Sequence, residues 1–142
     1  MASKTIIRKI IHSSLGLKPV GPYNQAIQVD RTVYLSGVVG LDPTTNKLVE
    51  GGISMEARQS LINMKNVLEA ANSSFDNVIK VTIFLNNIED FAAVNDVYKE
   101  FFTKNFPARS TFQVGKLPLG AGVEIEAIAL SGEVETQLPS NL

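Results

Sequence analysis

Residues 54–85, SMEARQSLINMKNVLEAANSSFDNVIKVTIFL, change hydrophobic period once, and that change decides the fold class. Ala57, Leu61, Met64 and Leu68 recur at spacings of four, three and four, with Glu56, Arg58, Lys65 and Glu69 elsewhere on the cylinder. One apolar stripe at the 3.6-residue period predicts an amphipathic helix running from a Ser54 N-cap to near Asn72-Ser73. Beyond it, Ile79, Val81, Ile83 and Leu85 alternate with Lys80, Thr82 and Phe84, the period-two pattern of a half-buried strand.

On the C-terminal side, Asp90 offers a second N-cap, and Phe91, Val94, Tyr98 and Phe101 repeat at three, four and three. A second helix is expected from 91 to about 104, its aromatic stripe packed on a sheet as core. Pro107 closes it. Ser110–Val114 and Val123–Leu130 read as two further strands joined through Leu117-Pro118-Leu119-Gly120. On the N-terminal side, Thr5–Ile11 is β-branched-rich, and Ala26–Val29 and Thr32–Ser36 flank a two-residue turn, Asp30-Arg31. Leu41–Lys47 and Glu50-Gly51-Gly52 carry turn chemistry and are expected as surface loops around Leu48-Val49.

The order β-β-β-α-β-α-β-β predicts an α+β domain, a mixed sheet with both helices on one face. The last strand alternates Val123, Ile125, Ala127 and Ala129 with a second set that ends in Ile128 and Leu130, so the other face also has apolar content. Covering it calls for another subunit, and a homo-oligomer is expected. The 142 residues suit a single domain over 1–142, with a flexible tail from about 135.

Composition narrows the chemistry. Thirteen Lys+Arg against fourteen Asp+Glu give a net charge of −1, with no block of basic residues to gather a polyanion, so nucleic acid is not the expected partner. The absence of cysteine removes disulfides, thiolate metal sites and thiol nucleophiles. One histidine, His12, cannot build a two-histidine metal cluster and reads as a surface or structural residue. The longest apolar runs fall well short of the ~20 residues of a membrane helix. The N-terminal stretch from Met1 to Lys9 shows no apolar signal core, and Ser140-Asn141-Leu142 lacks the lysine of a peroxisomal signal. A cytoplasmic protein is expected, with a mitochondrial address left open by Lys4, Arg8 and Lys9. Gly-rich phosphate loops, dinucleotide fingerprints and nucleophile elbows are missing from the sequence.

Three groups of polar residues remain. Arg109, at the start of a strand, suits either bidentate capture of a carboxylate or a surface ion pair. Glu124 and Glu126 share one face of the last strand, ~6.7 Å apart by strand rise, and suit either acid/base work or a solvated face. Tyr23 and Ser36-Gly37 sit where backbone N–H groups can approach a ligand, although turn chemistry explains them equally.

These residues occur together in a recognisable order: Gly21-Pro22-Tyr23, Gln25-Ala26, Ser36-Gly37, Asn95, Pro107-Ala108-Arg109-Ser110, Leu117-Pro118, and Val123-Glu124-Ile125-Glu126-Ala127-Ile128-Ala129. From about residue 5 to 134 the chain resembles the YjgF/RidA family of reactive intermediate deaminases. The resemblance implies a chorismate-mutase-like fold assembled as a homotrimer, with sites in clefts between subunits. It also implies hydrolysis of 2-imino acids, such as 2-iminopropanoate and 2-iminobutanoate, to 2-keto acids and ammonia without a metal or organic cofactor. Carried over by position, Arg109 would hold the substrate carboxylate and Glu124 would direct a water as general base. Tyr23, Ser36, Gly37, Asn95 and Thr111 would line the pocket, and Glu126 would support it. Thr111 departs from the cysteine many relatives carry there. If that cysteine acts through its backbone, threonine preserves the function. Relatives described as endoribonucleases and translation inhibitors supply one alternative, and a non-catalytic carboxylate-binding or chaperone-like trimer supplies another.

Overall fold

A computed structural model describes residues 4–141; the targeting readings at Met1–Ser3 and Leu142 lie outside the described residues. Eight strands and two α-helices follow one another as β1 (Arg8–Ile11), β2 (Ala26–Val29), β3 (Thr32–Val39), β4 (Leu41–Asp42), β5 (Lys47–Leu48), α1 (Ile53–Ala70), β6 (Val78–Leu85), α2 (Phe91–Phe101), β7 (Ala108–Gln113) and β8 (Val123–Leu130). Six of the strands form one sheet in the order β1-β2-β3-β8-β6-β7. Only β6 and β7 run parallel, because the connection between them is the α2 crossover, and the sheet is mixed as expected.

Both helices cover one face. Ala57, Leu61, Met64 and Leu68 of α1 are all completely buried, against Val33 and Leu35 of β3 and Val123, Ile125, Ala127 and Ala129 of β8. Each large side chain buried there is worth roughly 1.5–3 kcal/mol. Gly40 lets α1 approach the end of β3, since a Cβ at Gly40 would lie 2.6 Å from the Glu56 carbonyl oxygen. The fully buried Asn63 amide then donates to the carbonyl oxygens of Val39 (3.0 Å) and Leu41 (2.9 Å), fastening the strand end that borders the site.

Several boundaries differ from the sequence reading. Strand β1 starts at Arg8 rather than Thr5, because its partner ends at Val29, opposite Arg8, where Asp30 turns the chain with φ 52°. Gly52, with φ 87°, occupies the N-cap of α1, and Ser54 falls within the first turn. In β6 a register shift between Val78 and Lys80 turns Val78 inward and leaves Ile79 exposed. Asp90 caps nothing: Asn87 accepts from the Glu89 N–H at 3.0 Å to start a short 3-10 turn that leads into α2. The buried stripe of α2 is Val94, Val97 and Tyr98, continued by Phe102, so Phe91 is left at its exposed edge and the helix ends at Phe101. The segment around Leu41 and Leu48 forms the β4–β5 hairpin rather than open loops, and buried Leu41 joins a second small core with Val39, Leu117 and Ala121.

The face away from the helices carries an apolar row. Ile10, Ile27, Tyr34 and Ile128 are consecutive cross-strand partners over β1, β2, β3 and β8, and Ile10 and Tyr34 are exposed.

Candidate functional site

Strand register divides the candidate residues between the two faces of the sheet. Arg109 pairs with Val81, which pairs with Ala127, so Arg109 belongs to the helix-covered face. Glu124 pairs with Phe84, which pairs with Phe112, and belongs to the opposite face. The structure thus brings Tyr23, Ser36, Gly37 and Glu124 together around one cavity, and Asn95 and Arg109 around another.

In the first cavity Glu124 lies between Val39 and Phe84 of the flanking strands. Burial pushes its carboxyl above the usual carboxylate range, and the neighbouring charge of Glu126 adds to the effect. The carboxylate arches over Gly37: a Cβ there would lie 2.6 Å from Glu124 Oε1 and 2.8 Å from Cδ. This glycine is therefore required by the space the carboxylate occupies. Beside it, the Ser36 hydroxyl donates to the Asn24 carbonyl at 2.6 Å, leaving its lone pairs to face the cavity. Tyr23 is half-exposed at the rim, its hydroxyl accepting from the Val20 N–H at 3.3 Å.

The sequence reading held Gln25 only as part of the Gln25-Ala26 motif and gave it no role of its own. Its buried side-chain amide accepts from the Ser13 N–H (2.6 Å) and donates to the Leu17 carbonyl (2.7 Å), while its backbone carbonyl accepts from the Ser36 N–H (3.0 Å). Through side chain and backbone together, this one residue ties the Leu17–Val20 wall of the cavity to the strand that bears Ser36 and Gly37. The sequence signal was the motif itself, a glutamine directly before the buried start of β2.

In the second cavity the Arg109 guanidinium lies 4.6 Å from the ring centroid of Tyr98 and 5.8 Å from that of Phe91. Burial raises the Tyr98 phenol above its ordinary range, and the adjacent Arg109 charge opposes the shift. Among the described residues the ion pairs are Arg58–Glu100, Lys65–Glu69, Lys99–Asp96 and Lys104–Asp76, so the ion-pair reading of Arg109 does not hold within the chain. Thr111, two residues along β7, shares the helix-covered face, and its hydroxyl is buried without a hydrogen-bond partner. Glu126 stands on the Glu124 face opposite Thr82. His12 is exposed. Among the described residues no group of three or more His, Cys, Asp or Glu is placed to hold a metal, and no helix is long and apolar enough to cross a membrane.

A mixed sheet with two helices on one face is also the fold of solved structures of small α+β proteins to which this chain is similar. Residues 14–131 match the family model described as Endoribonuclease L-PSP, and the chain belongs to that family, also known as YjgF/RidA. It is 58% identical to the RutC family protein UK114 of Drosophila melanogaster over 94% of this chain and 96% of that protein. It is 49% identical to the 2-iminobutanoate/2-iminopropanoate deaminase of Bos taurus over 93% of this chain and 96% of that one. Among solved structures, the yeast protein YEO7 superimposes with a TM-score of 0.86 at 43% identity, over 89% of this chain and all of that one.

Proposed function

We propose that the protein hydrolyses 2-imino acids to 2-keto acids and ammonia. The observation that carries this reading is the near-full-length match, at 49% identity, to a relative named for that activity. The geometry supplies a route. Arg109, free of protein carboxylates among the described residues, would grip the substrate carboxylate through paired N–H donors and hold the imine carbon in place. Glu124, its affinity for a proton raised by burial, would take a proton from a water as that oxygen bonds to the imine carbon and the C=N pair moves to nitrogen. The tetrahedral carbinolamine then receives the proton on nitrogen. The hydroxyl proton of the carbinolamine then passes by way of Glu124 to the nitrogen as the C–N bond breaks, so the keto group forms, ammonia leaves and Glu124 is again a carboxylate. No covalent bond to the protein is needed, which is why Thr111 can replace a cysteine.

Arg109 and Glu124 face away from each other, so a working site needs the arginine half of one subunit beside the glutamate half of the next. The Ile10–Ile27–Tyr34–Ile128 row offers the surface for such an assembly. We read the assembly as a homotrimer with three composite sites, lined also by Tyr23, Ser36, Gly37, Asn95 and Thr111. The test is ammonia release from freshly generated 2-iminopropanoate, set against the spontaneous rate. Acceleration by the wild type and not by Arg109→Ala supports the reading. No acceleration by the wild type would leave a carboxylate-binding or chaperone-like trimer as the better account.

A further inference from the structure

Arg109 poses a problem of order. Its side chain leaves the edge strand β7 with no carboxylate partner among the described residues, and a free arginine carries rotamer entropy that binding would have to overcome. An ion pair would fix it at the cost of the N–H donors that recognise a carboxylate. An aromatic face fixes it differently, because stacking uses the plane of the guanidinium and leaves its edge free.

The fold provides such a face. Phe91 and Tyr98 lie seven residues apart on α2, two turns along the same side, and both rings approach Arg109, at 5.8 Å and 4.6 Å to their centroids. Asn95 stands between them on the helix and lines the same cavity. Tyr98 is itself held from behind: Phe102 stacks on it at 4.2 Å with 15° between planes, and Phe75 meets Phe102 edge-on at 5.0 Å. The column Arg109–Tyr98–Phe102–Phe75 thus runs from the cavity through the buried Tyr98 and Phe102 to Phe75 at the edge of the core, so packing holds the Tyr98 ring in place.

We infer that Tyr98 and Phe91 are positioning residues that hold the Arg109 guanidinium flat against α2 with its donor edge free for the substrate carboxylate. This rests on the reading of Arg109 as the carboxylate-binding group. The ring of Tyr98 is the part that carries this role.

The experiment compares Tyr98→Phe, Tyr98→Leu, Phe91→Leu and Arg109→Ala. It measures kcat and KM on 2-iminobutanoate generated in situ, the Kd for its stable keto-acid product, 2-oxobutanoate, and thermal stability. Tyr98→Phe, which keeps the ring, should raise KM and Kd far less than Tyr98→Leu. Tyr98→Leu should raise KM and Kd together by roughly tenfold with kcat changing less. Phe91→Leu, at an exposed position that tolerates truncation, should raise them by about threefold with unchanged melting, and it carries the test if Tyr98→Leu does not fold. Unchanged KM and Kd in the folded leucine variants, alongside lost binding in Arg109→Ala, would overturn the platform and leave the arginine reading standing. Wild-type binding of 2-oxobutanoate by Arg109→Ala would overturn both.

Discussion

Arg109 and Glu124 stand on opposite faces of one six-stranded sheet, the first in register with Val81 and the second with Phe84. The sheet itself lies between the two side chains, Arg109 being on the helix-covered face and Glu124 on the other. If they act together, they do so across a subunit boundary, and that has a consequence for mixed assemblies. Arg109→Ala and Glu124→Gln should each be inactive alone. Co-expressed, they should recover activity, about a quarter of the wild-type level under random mixing, because a site joining the intact arginine of one chain to the intact glutamate of another is complete. Absence of recovery in mixed oligomers confirmed by mass spectrometry would place both groups in service of separate roles.

The raised affinity of Glu124 for protons sets the sign of a pH effect. The native carboxyl keeps its proton at pH values where the unfolded chain has lost it, so stability falls as pH rises from the ordinary glutamate range through the raised native value. Glu124→Gln should therefore be more stable than the wild type at neutral pH and lose this dependence, as read by urea unfolding across pH. The rising limb of kcat/KM should sit above the usual carboxylate range and move down in Glu126→Gln, which removes a like charge. A limb that stays in place would separate Glu126 from the catalytic titration.

Gly37→Ala tests the fit of the carboxylate. The new Cβ would meet only the end of the Glu124 side chain, at 2.6–2.9 Å, and a flexible side chain can yield. Melting should change little while kcat drops by about tenfold or more as the carboxylate is displaced from the attacking water. An equal loss of stability and activity would point to a backbone role for the glycine instead.

Thr111 carries a buried hydroxyl without a partner. Replacing it by valine removes that unmet group and should raise stability by about 1 kcal/mol. If the backbone alone of this position serves the site, kcat is retained. A destabilised or inactive valine variant would show that the hydroxyl finds its partner in the assembled protein or on the substrate.

Much of the fold was legible because it rests on local periodicity. The α1 stripe Ala57, Leu61, Met64 and Leu68 and the bounds of β8 at Val123 and Leu130 agree with the sequence reading. Errors arose where a neighbour overrides the local pattern. The shift at Ile79 comes from pairing with β8, and the loss of Thr5–Ile7 from β1 comes from the length of β2. The aromatic stripe of α2 read as core, and Tyr98 is core while Phe91 lies at its exposed edge. Their role beside Arg109 depends on β7 running parallel to β6, which places Arg109 on the helix side.

The order and spacing of short motifs identified the family, since Gly21-Pro22-Tyr23, Pro107–Ser110 and Val123–Ala129 are properties of the chain alone. Hydrophobic period likewise determined which segments are helix and which are strand. Tertiary structure decided how the candidate residues are shared between two faces. Side-chain alternation in a strand has a period of two, but which parity faces the helices is set by the register with neighbouring strands. For the same reason Glu124 became the half-buried carboxylate over Gly37, and Arg109 became the guanidinium held against aromatic rings.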